Sequence, residues 1–245
     1  MIESLYIRLS GPLQSWAGPA VSGNIIRTEP WPTRSGLLGL LAGALGAERG
    51  QWPEWLNDVE FVVRQDRRPN IVDDFHTINP RTESTLFRRR HQIVQGISAG
   101  KAKGKALVFT PDAQGGTSVV NRTYLADGEF IVRITSEKHL DELENALATP
   151  GFVTYLGRKA FAPDFPFYLG RGSADCINEI PIVSNLHRTV ESEQPQSQPV
   201  TMVTYGPFHP ASGRRNQTAI TVVNQRDEQL SFISGHLVIR RQLAG

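Results

Sequence analysis

Two stretches of strictly alternating residues bracket a helix built from leucine and glycine, and the same strand–helix–strand order returns after a long gap. In SLYIRLS (4–10), Leu5, Ile7 and Leu9 alternate with Tyr6, Arg8 and Ser10, the period of a half-buried strand. A helix is written over 34–46, and DVEFVVRQ (58–65) follows as a second strand with Val59, Phe61 and Val63 on one side. The pattern resumes in GEFIVRIT (128–135), where Phe130, Val132 and Ile134 fall in register. Ser136 then offers an N-cap for a helix over 136–148, with Leu140, Leu143 and Leu147 at helical spacing and Pro150-Gly151 to end it. The aromatic and Gly/Pro-rich run 151–170 leaves room for a fourth strand.

Two β-α-β halves make the split βαβ of a ferredoxin-type α+β fold, here interrupted between its second and third strands by residues 66–125, which show no sustained period. The expectation is one domain over 1–175 and a small β-rich appendage over 176–245. In the appendage, Ile177–Val183, Val200–Tyr205, Ala219–Val223 and Leu230–Arg240 read as short strands, with a polar linker from His187 to Pro199.

The helix at 34–46 raises a question of its own, because glycine inside a helix costs about 1 kcal/mol relative to alanine. At about 100° per residue, Gly36, Gly39, Gly43 and Gly46 share an arc of roughly 80°, while Leu37, Leu38, Leu41 and Leu45 fill another of roughly 100°. The leucines bury on the sheet. The bare face admits a close backbone, either of protein or of a sugar–phosphate strand. Thr33 or Ser35 can cap the helix, whose first N–H groups form an anion site beside the planar fork of Arg34. Close packing and phosphate binding both remain open on these residues.

Composition decides little: 39% hydrophobic and 20% charged residues permit a sizeable core, and a net charge of +2 places the question on where the charges sit. Between 64 and 105 stand ten cations, among them Arg88, Arg89, Arg90, Lys101, Lys103 and Lys105, against Asp66, Asp73, Asp74 and Glu83. A charge run can be a solvated face, but a long loop of this sign also suits a phosphate backbone. In YLGRK (155–159), Gly157, Arg158 and Lys159 after Tyr155 read either as an ordinary turn or as a phosphate and stacking site. The single cysteine, Cys176, excludes an internal disulfide and a cysteine-based zinc cluster. No run approaches the roughly 18 apolar residues of a membrane span, and the start lacks a signal-peptide pattern; a soluble cytoplasmic protein without a membrane partner is expected.

Six histidines are present, none in an H-E-x-x-H arrangement, and no P-loop, G-x-S-x-G or dinucleotide fingerprint occurs. Neither a metal nor a cofactor is expected. A metal-independent ribonuclease needs only a base, an acid and a cation, and Tyr6, His76 and Lys105 are the residues that could be cast in those roles.

Four segments, LSGPLQSWAG (9–18), WPTRSGLLGLLAGALG (31–46), DFHT (74–77) and YLGRK (155–159), together resemble the CasD family, a subunit of the type I-E CRISPR surveillance complex Cascade. The resemblance covers residues 1–80 and 125–170. It implies an RRM-like domain with a long thumb between strands 2 and 3. It also implies a non-catalytic subunit that grips the 5′ handle of crRNA, caps a CasC-like filament, contacts a CasA-like large subunit and meets target DNA only through the complex. On that reading Arg34, Arg88, Arg89, Arg90, Lys101, Lys103, Lys105, Arg158 and Lys159 would meet the RNA backbone. Trp16 and Tyr155 would stack, Gln14 would read a base or sugar, and Ser35, Gly36, Gly39 and Gly157 would allow close approach. Relatives of another subtype cut precursor RNA, which keeps a metal-independent endoribonuclease as the alternative.

Overall fold

The leucine-bearing helix and the alternating strands form where the sequence places them. The computed structural model describes residues 2–17, 25–78, 118–184, 196–207 and 212–239. Strand β1 (Glu3–Ser10) leads through the short β2 (Leu13–Gln14) and β3 (Ile25–Ile26) to helix α1 (Arg34–Ala44). A 3-10 turn at Glu54–Asp58 precedes β4 (Glu60–Arg67), β5 (Asn70–Ile78), β6 (Ser118–Ala126) and β7 (Glu129–Thr135). Helix α2 (Leu140–Ala148) and β8 (Tyr168–Ser173) follow, then a 3-10 turn at Ala174–Asn178 and strands β9 (Ile182–Val183), β10 (Gln196–Tyr205) and β11 (Ser212–Val223). Helix α3 (Arg226–His236) comes last.

Seven strands make one sheet in the order β8-β1-β7-β4-β10-β11-β9. β7 pairs antiparallel with both β1 and β4, and β8 pairs antiparallel with β1. The result is a mixed α/β fold in which α1 and α2 lie on one face. There Leu5, Ile7, Leu9, Phe61, Val63, Phe130, Val132 and Ile134 meet Leu37, Leu41, Leu143 and Leu147. Each of these side chains, fully withdrawn from water, contributes about 1.5–3 kcal/mol. A second, smaller sheet is built on β6, which pairs with β5 along nine residues and with β2 and β3 on its other edge.

Three expectations are corrected. The alternating strands are not half-buried: the polar side of β1 is covered as well. Tyr6, Val62 and Ile131 on that side pack with Cys176, Ile177, Ile220, Ile233 and Leu237, so the C-terminal third forms a lid over the second face. Its charges are satisfied internally. Arg64 clasps Asp66 through two bonds of 2.6 and 2.8 Å and donates to the Ile177 carbonyl, while Glu129 accepts from Arg226 at 2.6 and 2.7 Å. Second, the segment expected as a strand from Leu230 is helical from Arg226 to His236. Its inward residues are Gln229, Ile233 and Leu237, an i, i+4, i+8 stripe led by a glutamine and therefore invisible to a hydrophobic count. Third, the interruption is not patternless at its ends, because β5 and β6 occupy 70–78 and 118–126. Helix α2 also starts one turn later than expected, with Ser136 Oγ accepting from the His139 N–H ahead of it.

Candidate nucleic-acid interface

The glycine face of α1 is largely closed by tryptophan. A Cβ on Gly36 would lie 2.8 Å from Trp16 Cε3, and one on Gly39 would lie 3.5 Å from Trp52. At the helix end the backbone of 151–152 approaches, Gly151 N–H bonding the Ala44 carbonyl and Phe152 N–H that of Gly43. Only Gly43 has nothing within 4 Å of a Cβ. Of the two readings left open, protein packing accounts for Gly36; at Gly39 a Cβ would make only ordinary contact with Trp52. Thr33 caps the helix through the Gly36 N–H, with Ser35 exposed beside it. The fork of Arg34 is already engaged by the carbonyls of Gly206, Asn57 and Val59 at 3.0, 2.6 and 3.3 Å.

Trp16 and Gln14 are likewise internal. Trp16 is 1% exposed and donates its indole N–H to Gln14 Oε1, and the Gln14 amide donates to the Gly128 carbonyl at 2.8 Å. With their polar atoms bonded and no face in solvent, neither presents a surface to a base. They fasten the end of β1 to the start of β7. Tyr6 is also removed from solvent: its hydroxyl donates to Ser173 O at 2.6 Å, and burial pushes its pKa well above the usual phenol value. That arrangement takes Tyr6 out of any acid–base role. Arg88, Arg89, Arg90, Lys101, Lys103 and Lys105 lie outside the described residues, as does the His76 side chain.

The 155–161 segment is brought against the base of the β5–β6 hairpin. Gly157 has φ +83°, and a Cβ there would stand 1.7 Å from Ser15 O, so only glycine makes this turn. Ser15 N–H bonds Leu156 O, and Phe161 N–H bonds Arg158 O. The turn therefore aims Arg158 onto β6, where its guanidinium lies 5.3 Å from the Tyr124 ring centroid and 5.8 Å from that of Phe161, and donates to the Tyr124 hydroxyl. The Tyr124 hydroxyl in turn donates to Asp74 Oδ2 at 3.0 Å. Burial, then the Asp74 bond, raises the Tyr124 pKa, which keeps the phenol protonated as that bond requires. Arg122, two residues away on the same side of β6 and opposite Asp74 in register, has a buried Nε with no partner. Tyr155, at 38% exposure, and Lys159 stand at the rim, and Phe75 of β5 is 65% exposed.

Sequence reasoning placed Tyr155, Gly157, Arg158 and Lys159 here but missed Arg122 and Tyr124. The signal was the alternation of Val120, Arg122 and Tyr124, hidden inside a segment taken as irregular. Far from this notch, where β1 and β4 begin and β7 ends, a groove lined by Glu3, Asp58, Glu60, Glu137 and Asp141 presents the sign that repels phosphate. No group of three metal-ligating side chains occurs among the described residues, and no helix among them is long and apolar enough to cross a membrane.

Comparison with known proteins agrees with these motifs. A family model described as CRISPR-associated protein (Cas5) matches residues 4–222. The CRISPR system Cascade subunit CasD of Escherichia coli (strain K12) is 30% identical over 185 residues, 69% of this chain and 71% of that protein. A solved chain titled CRISPR RNA-guided surveillance complex aligns with 95% of this chain and 100% of its own length, at TM-score 0.68 and 27% identity. A crystal structure of a Cas protein shares the fold at TM-score 0.51 and 24% identity, covering 90% of this chain and 92% of its own. With the family model spanning nearly the whole chain and the motif segments meeting at one place, this chain belongs to the Cas5 family of CRISPR-associated proteins, and within it resembles CasD.

Proposed function

We propose that this protein is the crRNA-binding subunit of a CRISPR surveillance complex used in antiviral defence, holding the 5′ handle of the guide without cutting it. The observation that carries the reading is the likeness, along 95% of the chain, to a chain of an RNA-guided surveillance complex. The strands β1, β4, β7 and β8 are read as an RRM-like unit, with the insertion at 66–125 as its thumb. Residues 1–175 are taken as the first domain. Residues 176–245 are taken as an appendage that widens the sheet and covers its second face. An RRM stacks bases on its open sheet face, but that face is occupied here by the lid. RNA is therefore assigned to the notch between the paired strands β5 and β6 and the 155–161 turn. Ser35 remains an exposed neighbour of the helix start; Gly36, Gly39 and Arg34 act by positioning. A CasC-like backbone subunit and a CasA-like large subunit are the protein partners on this reading, and target DNA is met only through the complex.

One gel tests it: end-labelled repeat RNA from the cognate CRISPR array, mixed with the full chain in EDTA, and run native and denaturing. The expected result is a shifted, intact band, with log K falling by roughly 0.7 per neutralised phosphate against log salt. A discrete fragment ending in a 2′,3′-cyclic phosphate, lost on changing His76, would make the chain a processing nuclease instead.

A further inference from the structure

Most of the buried and half-buried arginines described here have their donors met by protein. Arg8 bonds the carbonyls of Phe165 and Pro166, and Arg34 bonds three carbonyls. Arg64 holds Asp66, Arg67 the Asp127 carbonyl, Arg171 Glu3 and Asp141, and Arg226 Glu129. Two arginines that converge on Tyr124 break the pattern. Arg158 has only the Tyr124 hydroxyl and two ring faces, and Arg122 has a buried Nε without an acceptor. Neither forms an ion pair among the described residues. Arg133 also has an unpartnered Nε, but it lies on β7 and bonds the Ala174 carbonyl, whereas the Arg122 side chain makes no bond to protein among the described residues.

A buried donor left unmet is costly and calls for an explanation. Arg122 and Tyr124 are two residues apart on one strand face, about 7 Å at strand rise, and the Arg158 guanidinium lies against the Tyr124 ring. Two planar forks therefore stand beside one phenol. Asp74 takes the Tyr124 hydroxyl and holds the phenol in place. Against its single negative charge stand two guanidiniums, with Lys159 at the rim.

We infer that Arg122 and Arg158 form a seat for one phosphodiester of the bound RNA, with Tyr124 as its floor. A phosphodiester supplies two non-bridging oxygens, one for each guanidinium, and meets Arg122 through its outer N–H groups. The seat is built before RNA arrives: Gly157 fixes the Arg158 turn, and the nine-residue β5–β6 pairing fixes Arg122. It would pin the RNA backbone beside the β5–β6 pairing. This inference rests on the RNA-binding reading above and adds to it the atoms that hold the backbone.

The test uses the full chain and, in parallel, the complex assembled with its partner subunits, probed with cognate repeat RNA. R122M and R158M should each weaken binding roughly ten- to hundredfold, as expected for loss of a charge-assisted contact, and should each reduce the salt slope by about 0.7. R49Q, an exposed cation elsewhere, should change neither. R122M should also melt no lower than wild type, because it removes a buried donor that had no partner. A merely structural Arg122 would instead lower the melting temperature. Unchanged RNA affinity and slope in R122M and R158M, with wild type binding normally, overturns the seat alone. If those variants lose a melting-temperature rise induced by inorganic phosphate but bind RNA normally, the seat belongs to a free anion and the RNA assignment is overturned. Failure of wild type to bind RNA in either form overturns the function itself.

Discussion

Gly157 and Gly43 ask opposite things of a methyl group. At Gly157 the backbone lies at φ +83° and Ser15 O stands 1.7 Å from where a Cβ would be. Gly157→Ala should therefore lower stability by more than about 2 kcal/mol in urea unfolding and displace Arg158 with it. At Gly43, inside α1, a Cβ meets nothing within 4 Å. Gly43→Ala should raise stability by about 0.5–1 kcal/mol, through lower chain entropy in the unfolded state and better helix propensity. A fall there would mean that the bare patch is needed for packing after all. Trp16→Ala empties the space over Gly36 and should cost about 3–5 kcal/mol. A base-stacking platform would lose RNA affinity while melting normally, so calorimetry on this one variant separates the two roles.

At the scale of elements, Glu129 binds four pieces of the molecule together. It begins β7, accepts two bonds from Arg226 of α3, and lies 3.6 Å from Arg8 of β1 and 3.5 Å from Arg67 of β4. Burial alone would push its pKa up, but the bonds and charge of Arg226, with the charges of Arg8 and Arg67, outweigh it and hold the carboxyl below its usual value of 4.5. A folded pKa below the unfolded one stabilises the fold above about pH 4.5, and that contribution disappears as pH falls through the folded value. Glu129→Gln should thus cost about 3–5 kcal/mol near neutrality, since it leaves the buried Arg8 uncompensated. The gap from wild type should narrow in acid-titrated unfolding; a gap constant down to pH 2 would contradict this account. The same cluster explains what could be read in advance and what could not. Strands β1, β4 and β7 announced themselves because one side of each is apolar throughout. Their other side carries Arg8, Arg64, Asp66 and Glu129, which by composition alone look solvated. The lid over them is held by Gln229, bonded to the Pro181 carbonyl at 2.6 Å, and by Arg226, and polar anchors leave no hydrophobic period in the sequence.

Across the whole molecule, the near-zero net charge is a sum of unlike ends. An acidic groove stands where β1 and β4 begin, and cations with few internal partners stand at the hairpin. The candidate site was legible because the distinctive segments interlock: Trp16 fills the space over Gly36, Ser15 receives the 155–161 turn, and Asp74 fixes the tyrosine under Arg158. Arg122 and Tyr124 escaped notice because they matter only once β6 is folded against β5. The strand order has one more result. β1 and β4 are not paired with each other; the neighbour they share is β7 between them, which meets Tyr6 at Arg133 and Gln65 at Phe130. During synthesis, then, the first two long strands and the leucines of α1 must wait until the whole insertion has left the ribosome before their common neighbour exists. Contacts of such long sequence separation form slowly and leave apolar surface exposed meanwhile. A nascent chain stalled at residue 127 should be more protease-sensitive and bind chaperones more than one stalled after β8 with room to clear the exit tunnel. The notch beside Tyr124 can therefore only be completed after the strand that joins the two halves has been made.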